Sequence, residues 1–153
     1  MVGNNTALGT GILNTAVGTH LDASTAVSLA NDVIAAGPLT IDGTANLGLS
    51  GVISGIGSLV KNGNASLALS GSNTFTNGTQ LNAGTLILGS NTALGIGGLT
   101  LGGNANLDTS TAVSATNSIS LGGNTLTVLG SNATTLTGQI SGTGAWSRAA
   151  VPA

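Results

Sequence analysis

The side chains able to move a proton or hold a metal are few: Asp22, Asp32, Asp42, Asp108, His20, Lys61 and Arg148, with no cysteine or tyrosine. Glycoside hydrolysis would need two carboxyl groups about 5–9.5 Å apart on one face. Asp22, Asp32 and Asp42 are spaced by ten residues. In coils of about twenty residues, neighbours in this series fall on opposite sides, while Asp22 and Asp42 stack, which makes them the one carboxylate pair with a suitable arrangement. Asp22 and Asp108 occupy equivalent places in a long internal repeat, and a recurrent aspartate of this kind reads as a turn cap rather than an acid catalyst. His20 has a single acid nearby, Asp22, whereas a metal site needs three or four ligands. The calcium-binding nonapeptide of β-rolls is missing, because Gly102-Gly103-Asn104-Ala105-Asn106 lacks its third glycine and its aspartate. Two basic residues and a net charge of −2 exclude a nucleic-acid footprint. The many serines and threonines form a solvated face, with no histidine placed to activate them. The chain therefore reads as a non-enzyme without catalytic residue, metal or cofactor.

What must position these residues is a repeat. GNNTALGTG from Gly3 returns as GSNTALGIG from Gly89, and LDASTAVS from Leu21 returns as LDTSTAVS from Leu107, both at an offset of 86 residues. After a slip of one residue, the stretch 39–57 returns as 126–144. A shorter period lies inside the longer one: residues 39–51 align without gaps on residues 59–71, an offset of 20. Twenty residues suit a solenoid coil with three short strand faces, so the 86-residue unit reads as four coils and the whole chain as about seven. Leu67-Ala68-Leu69, Leu86-Ile87-Leu88, Leu99-Thr100-Leu101, Ile119-Ser120-Leu121 and Leu126-Thr127-Val128 have the period of two expected of strands. Gly-Ser-Asn, Gly-Gly-Asn and Asp-Gly clusters between them supply the turns. No stretch shows helical spacing.

Composition agrees with a narrow solenoid. Hydrophobic residues make up 41% of the chain and charged ones 4%, with one Phe and one Trp. A disordered chain has the opposite balance. A single layer of Leu, Ile, Val and Ala per coil fills the interior, and Ser, Thr and Asn cover the outside in ladders about 4.8 Å apart. The lack of cysteine fits both this composition and export through an oxidising compartment. Met1-Val2-Gly3 leads straight into the repeat with no charged or apolar leader, so the expectation is that either another segment of the gene handles export or this chain is an excised fragment. The apolar runs are too short to cross a bilayer as helices.

Residues 59–88, LVKNGNASLALSGSNTFTNGTQLNAGTLIL, resemble the passenger-associated repeat of bacterial autotransporters. That pattern runs Leu-x-Lys-x-Gly, a Leu-x-Leu-Ser-Gly strand, Asn-Thr-Tyr-Thr-Gly-Gly-Thr, and Asn-Ala-Gly-Thr-Leu. Lys61, Gly63, Leu67, Leu69, Gly71, Asn73, Gly78, Asn82, Gly84 and Leu86 fit it, Phe75 stands for the tyrosine, and Asn77 for the first glycine of the pair. The resemblance implies a right-handed parallel β-helix, exported through an outer-membrane barrel encoded elsewhere in a longer chain, and located outside or on the surface of a Gram-negative cell. It implies structural roles for these motif residues.

The functional expectation is a stalk, display or adhesive segment that self-associates, with a host or bacterial surface ligand left open. The alternative is a subunit of an extracellular fibre built by end-to-end stacking of solenoids, since a coil end presents unpaired backbone groups. Ice binding by a flat threonine ladder is suggested by Thr74/Thr76, Thr109/Thr111, Thr125/Thr127 and Thr135/Thr137, although these are not one coil apart. Phe75 is expected over the outside or at a corner of the solenoid. The repeat breaks after Gly144, dividing the solenoid, residues 1–144, from a tail or cap, residues 145–153, in which Trp146 is the candidate cap of the last coil and a truncated ending is the alternative.

Overall fold

A computed structural model describes residues 1–149 as a parallel β-solenoid, with nineteen strands and no helix among them. Three sides recur in chain order. The first side carries β1 (Leu13–Thr15), β4 (Val33–Ala35), β7 (Ile53–Ser54), β14 (Val113–Ala115) and β17 (Thr134–Leu136). The second is a seven-stranded sheet of β2 (Thr19–Leu21), β5 (Leu39–Ile41), β8 (Leu59–Lys61), β10 (Thr79–Leu81), β12 (Leu99–Leu101), β15 (Ile119–Ser120) and β18 (Ile140–Ser141). The third, also seven-stranded, is β3 (Val27–Leu29), β6 (Leu47–Leu49), β9 (Ser66–Leu69), β11 (Thr85–Leu88), β13 (Ala105–Thr109), β16 (Thr125–Val128) and β19 (Ala145–Arg148). All pairings are parallel between consecutive coils, so the described residues make seven coils of about twenty residues.

The period of two decides which side chains enter the core. Leu39, Leu59, Thr79, Leu99 and Ile119 form one inward column on the second side. Leu47, Leu67, Leu86 and Leu107 form another on the third. These leucines are at most 2% exposed. Each buried leucine contributes roughly 1.5–3 kcal/mol, and stacking like on like lets one coil after another close over the same cross-section. β19 pairs with β16, so the solenoid runs past Gly144 to Arg148 rather than ending in a tail there. Residues 150–153 of the expected tail lie outside the described residues.

The long repeat is not a whole number of coils. Adding 86 carries β1 onto β12, β2 onto β13, β3 onto β14 and β4 onto β15, each time from one side to the next. The unit spans thirteen segments, four coils and one further side, instead of the twelve expected. What repeats is the local bonding. Asn5 Oδ1 accepts from Ser28 N–H at 2.9 Å and Asn91 Oδ1 from Ser114 N–H at 2.8 Å. Asn31 Nδ2 donates to Gly9 O and Gly11 O, as Asn117 Nδ2 does to Gly95 O and Gly97 O. Three sides of similar length let a segment keep its neighbours while it moves a third of a turn around the axis.

The first side is interrupted between β7 and β14, where residues 73–76 and a turn at residues 90–95 replace two strands. Thr74 N–H still donates to Ile53 O at 2.8 Å, and Ile96 N–H to Phe75 O at 2.9 Å. The remaining gap is filled by the Asn73 side chain, only 2% exposed, which accepts from Ile53 N–H at 2.8 Å and donates to Ala93 O at 2.7 Å. One amide side chain thus stands in for a peptide group in the ladder. Asn73→Ala leaves a buried donor and a buried acceptor unpaired and is expected to lower stability by about 2–4 kcal/mol in urea unfolding. Thr79 presents the opposite case, a buried hydroxyl without a partner in an otherwise apolar column. Thr79→Val keeps the shape and is expected to raise stability by about 1 kcal/mol in the same measurement.

Candidate functional site

The densest cluster of unusual side chains lies along residues 59–88. Lys61 ends β8 and faces inward, in register with Ile41 and Leu81, and is fully buried. The strand alternation forces this orientation: Leu59 and Lys61 share a face, and Val60 points out. The aliphatic stem continues the leucine column, and the ammonium turns to the corner after β8. There it donates to Asn62 O, to Gly63 O at 2.9 Å and to Ala83 O at 3.5 Å. No carboxylate among the described residues pairs with it. Burial pushes the Lys61 amine down to about 8.

Gly63 makes that corner possible. Its φ is +63°, and a Cβ there would stand 2.3 Å from Asp42 O. Gly71, Gly78 and Gly84 similarly abut the backbone of a neighbouring coil. Asn82 Nδ2 donates to Asn62 Oδ1 at 2.7 Å, joining two corners across one coil. Leu67, Leu69 and Leu86 are fully buried. Phe75 is buried as well, at 1% exposure, and packs inside the solenoid against Gly95; it does not cover the outside. Lys61 and Asn73 were legible as motif positions, but no pattern of charge or spacing announced that both enter the core.

The acids are dispersed. Asp22 and Asp42 do stack one coil apart, but their side chains take separate partners. Asp22 accepts from the Thr44 amide at 3.0 Å and the Thr44 hydroxyl at 2.5 Å. The Thr44 hydroxyl holds the Asp22 carboxyl below the usual carboxylate range, against a smaller opposing effect of burial. Asp42 meets His20 Nδ1 at 3.0 Å, on a side chain 60% exposed, a pair worth little in water. Asp32 accepts from Val52 N–H at 2.7 Å. Asp108 repeats the Asp22 arrangement with the Ser131 amide and hydroxyl. Burial pushes the Asp108 carboxyl up, and the Ser131 and Thr109 hydrogen bonds outweigh it and hold the group low. The turn-capping reading of Asp22 and Asp108 matches these contacts.

No group of three or more metal-binding side chains assembles among the described residues. The threonine pairs do not form one ladder, since Thr125 and Thr127 lie in β16 on the third side and Thr135 in β17 on the first. On the second side the outward column reads His20, Thr40, Val60, Gln80, Thr100, Ser120 and Ser141. A groove of about 560 Å³ on the third side is lined by Asn64, Asn104, Asn106, Thr125 and Thr127 with no ionisable group. Trp146 stands beyond Leu126 in the register, 56% exposed, and with Val128, Leu136, Ile140 and Arg148 borders a cavity of about 260 Å³ at the last coil.

Residues 59–88 match the family model described as Passenger-associated-transport-repeat, and this segment is a repeat of the autotransporter-passenger type. No curated protein and no solved structure matches the chain.

The folded chain holds the Lys61 amine near 8, against 10.5 when free, so the unfolded chain binds more protons between these values. Stability is therefore expected to rise as pH goes from about 8 to 10.5, by on the order of 1–3 kcal/mol. No other lysine, tyrosine or cysteine is present to titrate there. Urea unfolding of the wild type and of Lys61→Met across this window should show the slope in the first and not in the second.

Proposed function

We propose that this chain is a non-enzymatic, rod-like stalk of an autotransporter passenger, held outside a Gram-negative cell and displaying what is attached to it. The observation that carries this reading is the use made of its chemistry. All four carboxylates and the one lysine are engaged in hydrogen bonds of the scaffold or its surface, and the repeat at residues 59–88 is of the passenger type. Seven coils give a rod roughly 30–35 Å long. Export would rest on a barrel elsewhere in a longer chain.

A second reading, lateral self-association, is favoured by Ile12, Val17, Ile34, Val52 and Ile56. These exposed apolar residues gather on and beside the first side in the first three coils. Such a patch is unusual on a rod whose outside, Ile96 and Trp146 apart, is largely Ser, Thr and Asn.

Placed between an N-terminal epitope and a translocator barrel in a Gram-negative host, the chain is expected to bring the epitope to the surface of intact cells. Deleting residues 39–58, one coil, should shorten the rod by about 5 Å and leave display in place. An epitope retained inside the cells would count against the stalk reading. Sedimentation of the purified chain tests the second: Ile34→Ser with Ile56→Ser should abolish any lateral dimer.

A further inference from the structure

Residues 89–109 repeat the layer formed by residues 3–23, yet only the later copy has a coil stacked on its leading edge. There, residues 73–76 cover the turn at 90–95: Asn73 Nδ2 donates to Ala93 O at 2.7 Å, and Ile96 N–H donates to Phe75 O at 2.9 Å. β10 lies on β12 and β11 lies on β13 in full register. Ala93 and Leu94 are buried as a result. In the earlier copy the turn at residues 4–9 has the same internal bonds, Gly9 N–H to Thr6 O at 2.9 Å where Gly95 N–H meets Thr92 O at 2.9 Å. Its Ala7, however, is exposed and its Leu8 half-buried.

The glycines supply a second observation. Gly97 has the backbone of Gly78 against it, so that a Cβ would stand 2.3 Å from Gly78 N. Its counterpart Gly11 has neither a positive φ nor any atom within 4 Å of an added Cβ. Gly89 is pressed by Ser70 Cβ at 2.7 Å, whereas Gly3 meets only Ser24 Oγ at 3.3 Å. Within this chain nothing requires glycine at positions 3 and 11. A backbone stacked on them as on Gly89 and Gly97 would.

We infer that the leading edge of the first coil, residues 3–23, on which Val2 already pairs with Ala23 in the place that Leu88 takes on Thr109, is a docking surface for a parallel β-coil of passenger-repeat sequence, of the kind this chain presents at residues 69–88. An asparagine amide of that coil bonds Ala7 O, a phenylalanine carbonyl takes Thr10 N–H, and two strands pair with β1 and β2. A folded second copy does not offer this edge, because its own residues 73–88 are covered by residues 89–109. Its last strands, within residues 134–148, contain neither Asn nor Phe. The inference concerns what stacks on the rod and does not depend on where the rod is displayed.

The test is a chain in which a second copy of residues 59–88 is joined to Gly3 in place of Met1 and Val2, read by hydrogen exchange and mass spectrometry. Exchange in residues 7–12 is expected to slow by about tenfold or more toward that of residues 93–98, and the unfolding midpoint to rise. The same fusion with alanine for the added asparagine and phenylalanine should lose the protection. Residues 7–12 exchanging as fast with the added coil as without it would overturn the inference. The internal junction serves as the second measurement: Asn73→Ala with Phe75→Ala in the unfused chain must speed exchange at residues 93–96, and unchanged exchange there removes the template. End-to-end association of the unfused chain that protects residues 7–12 would also overturn it, by making a second copy the occupant.

Discussion

Everything in this structure depends on one requirement: each coil must hand its backbone donors and acceptors to the next coil at a spacing near 4.8 Å. A solenoid this narrow has no deep core in which a local fault could be absorbed. The ladder therefore continues even where the chain departs from strand geometry, and asparagine is the residue that continues it. Asn73 spans the gap between Ile53 and Ala93. Asn5 and Asn91 receive the amides of Ser28 and Ser114 beneath the two turns. Asn31 and Asn117 gather pairs of turn carbonyls. An amide side chain carries both a donor and an acceptor, so it can replace one peptide group on either side of a break.

The same requirement explains the scarcity of charge. An ionised side chain pointing inward has no room for a counter-ion or water, and one pointing outward gains little on a surface of laddered hydroxyls and amides. Lys61 is the exception that shows the rule. Its stem replaces a leucine in the inward column, and its ammonium is accepted only because a tight corner turns the carbonyls of Asn62, Gly63 and Ala83 toward it. Three carbonyl dipoles take the place of a carboxylate, and the burial still depresses its proton affinity.

The coil length, the parallel stacking and the inward leucines were readable from the sequence because they follow from two short-range signals, the period of two within a strand and the offset of 20 between residues 39–51 and 59–71. The capping by Asp22 and Asp108 was readable for the same reason, as a local turn recurring with its neighbours. Phe75 inside the core was not. Its burial depends on residues 90–95 forming a turn in place of a strand, a property of the layer above. Nor was the inward lysine, because a single basic residue in a polar repeat carries no mark of the corner that will receive it. The passenger-type segment at residues 59–88 was recognisable by its motif, while the role of each motif residue required the stacked coils.

The phase of the long repeat bears on what such a rod can do. Residues 3–57 supply eight segments and residues 59–88 supply five, thirteen in all, where twelve would return each side to itself. A side chain repeated every 86 residues therefore winds around the axis and does not line up on one face. Flat binding surfaces, such as threonine ladders, need repetition at the coil period, and the outward column of the second side changes from His20 through Val60 and Gln80 to Ser141 without such repetition. What is conserved between the two copies is instead the bonding that closes one coil on the next, at Asn5 and Asn91, Asn31 and Asn117, Asp22 and Asp108. Repetition here maintains the ladder from coil to coil and leaves the faces unlike one another.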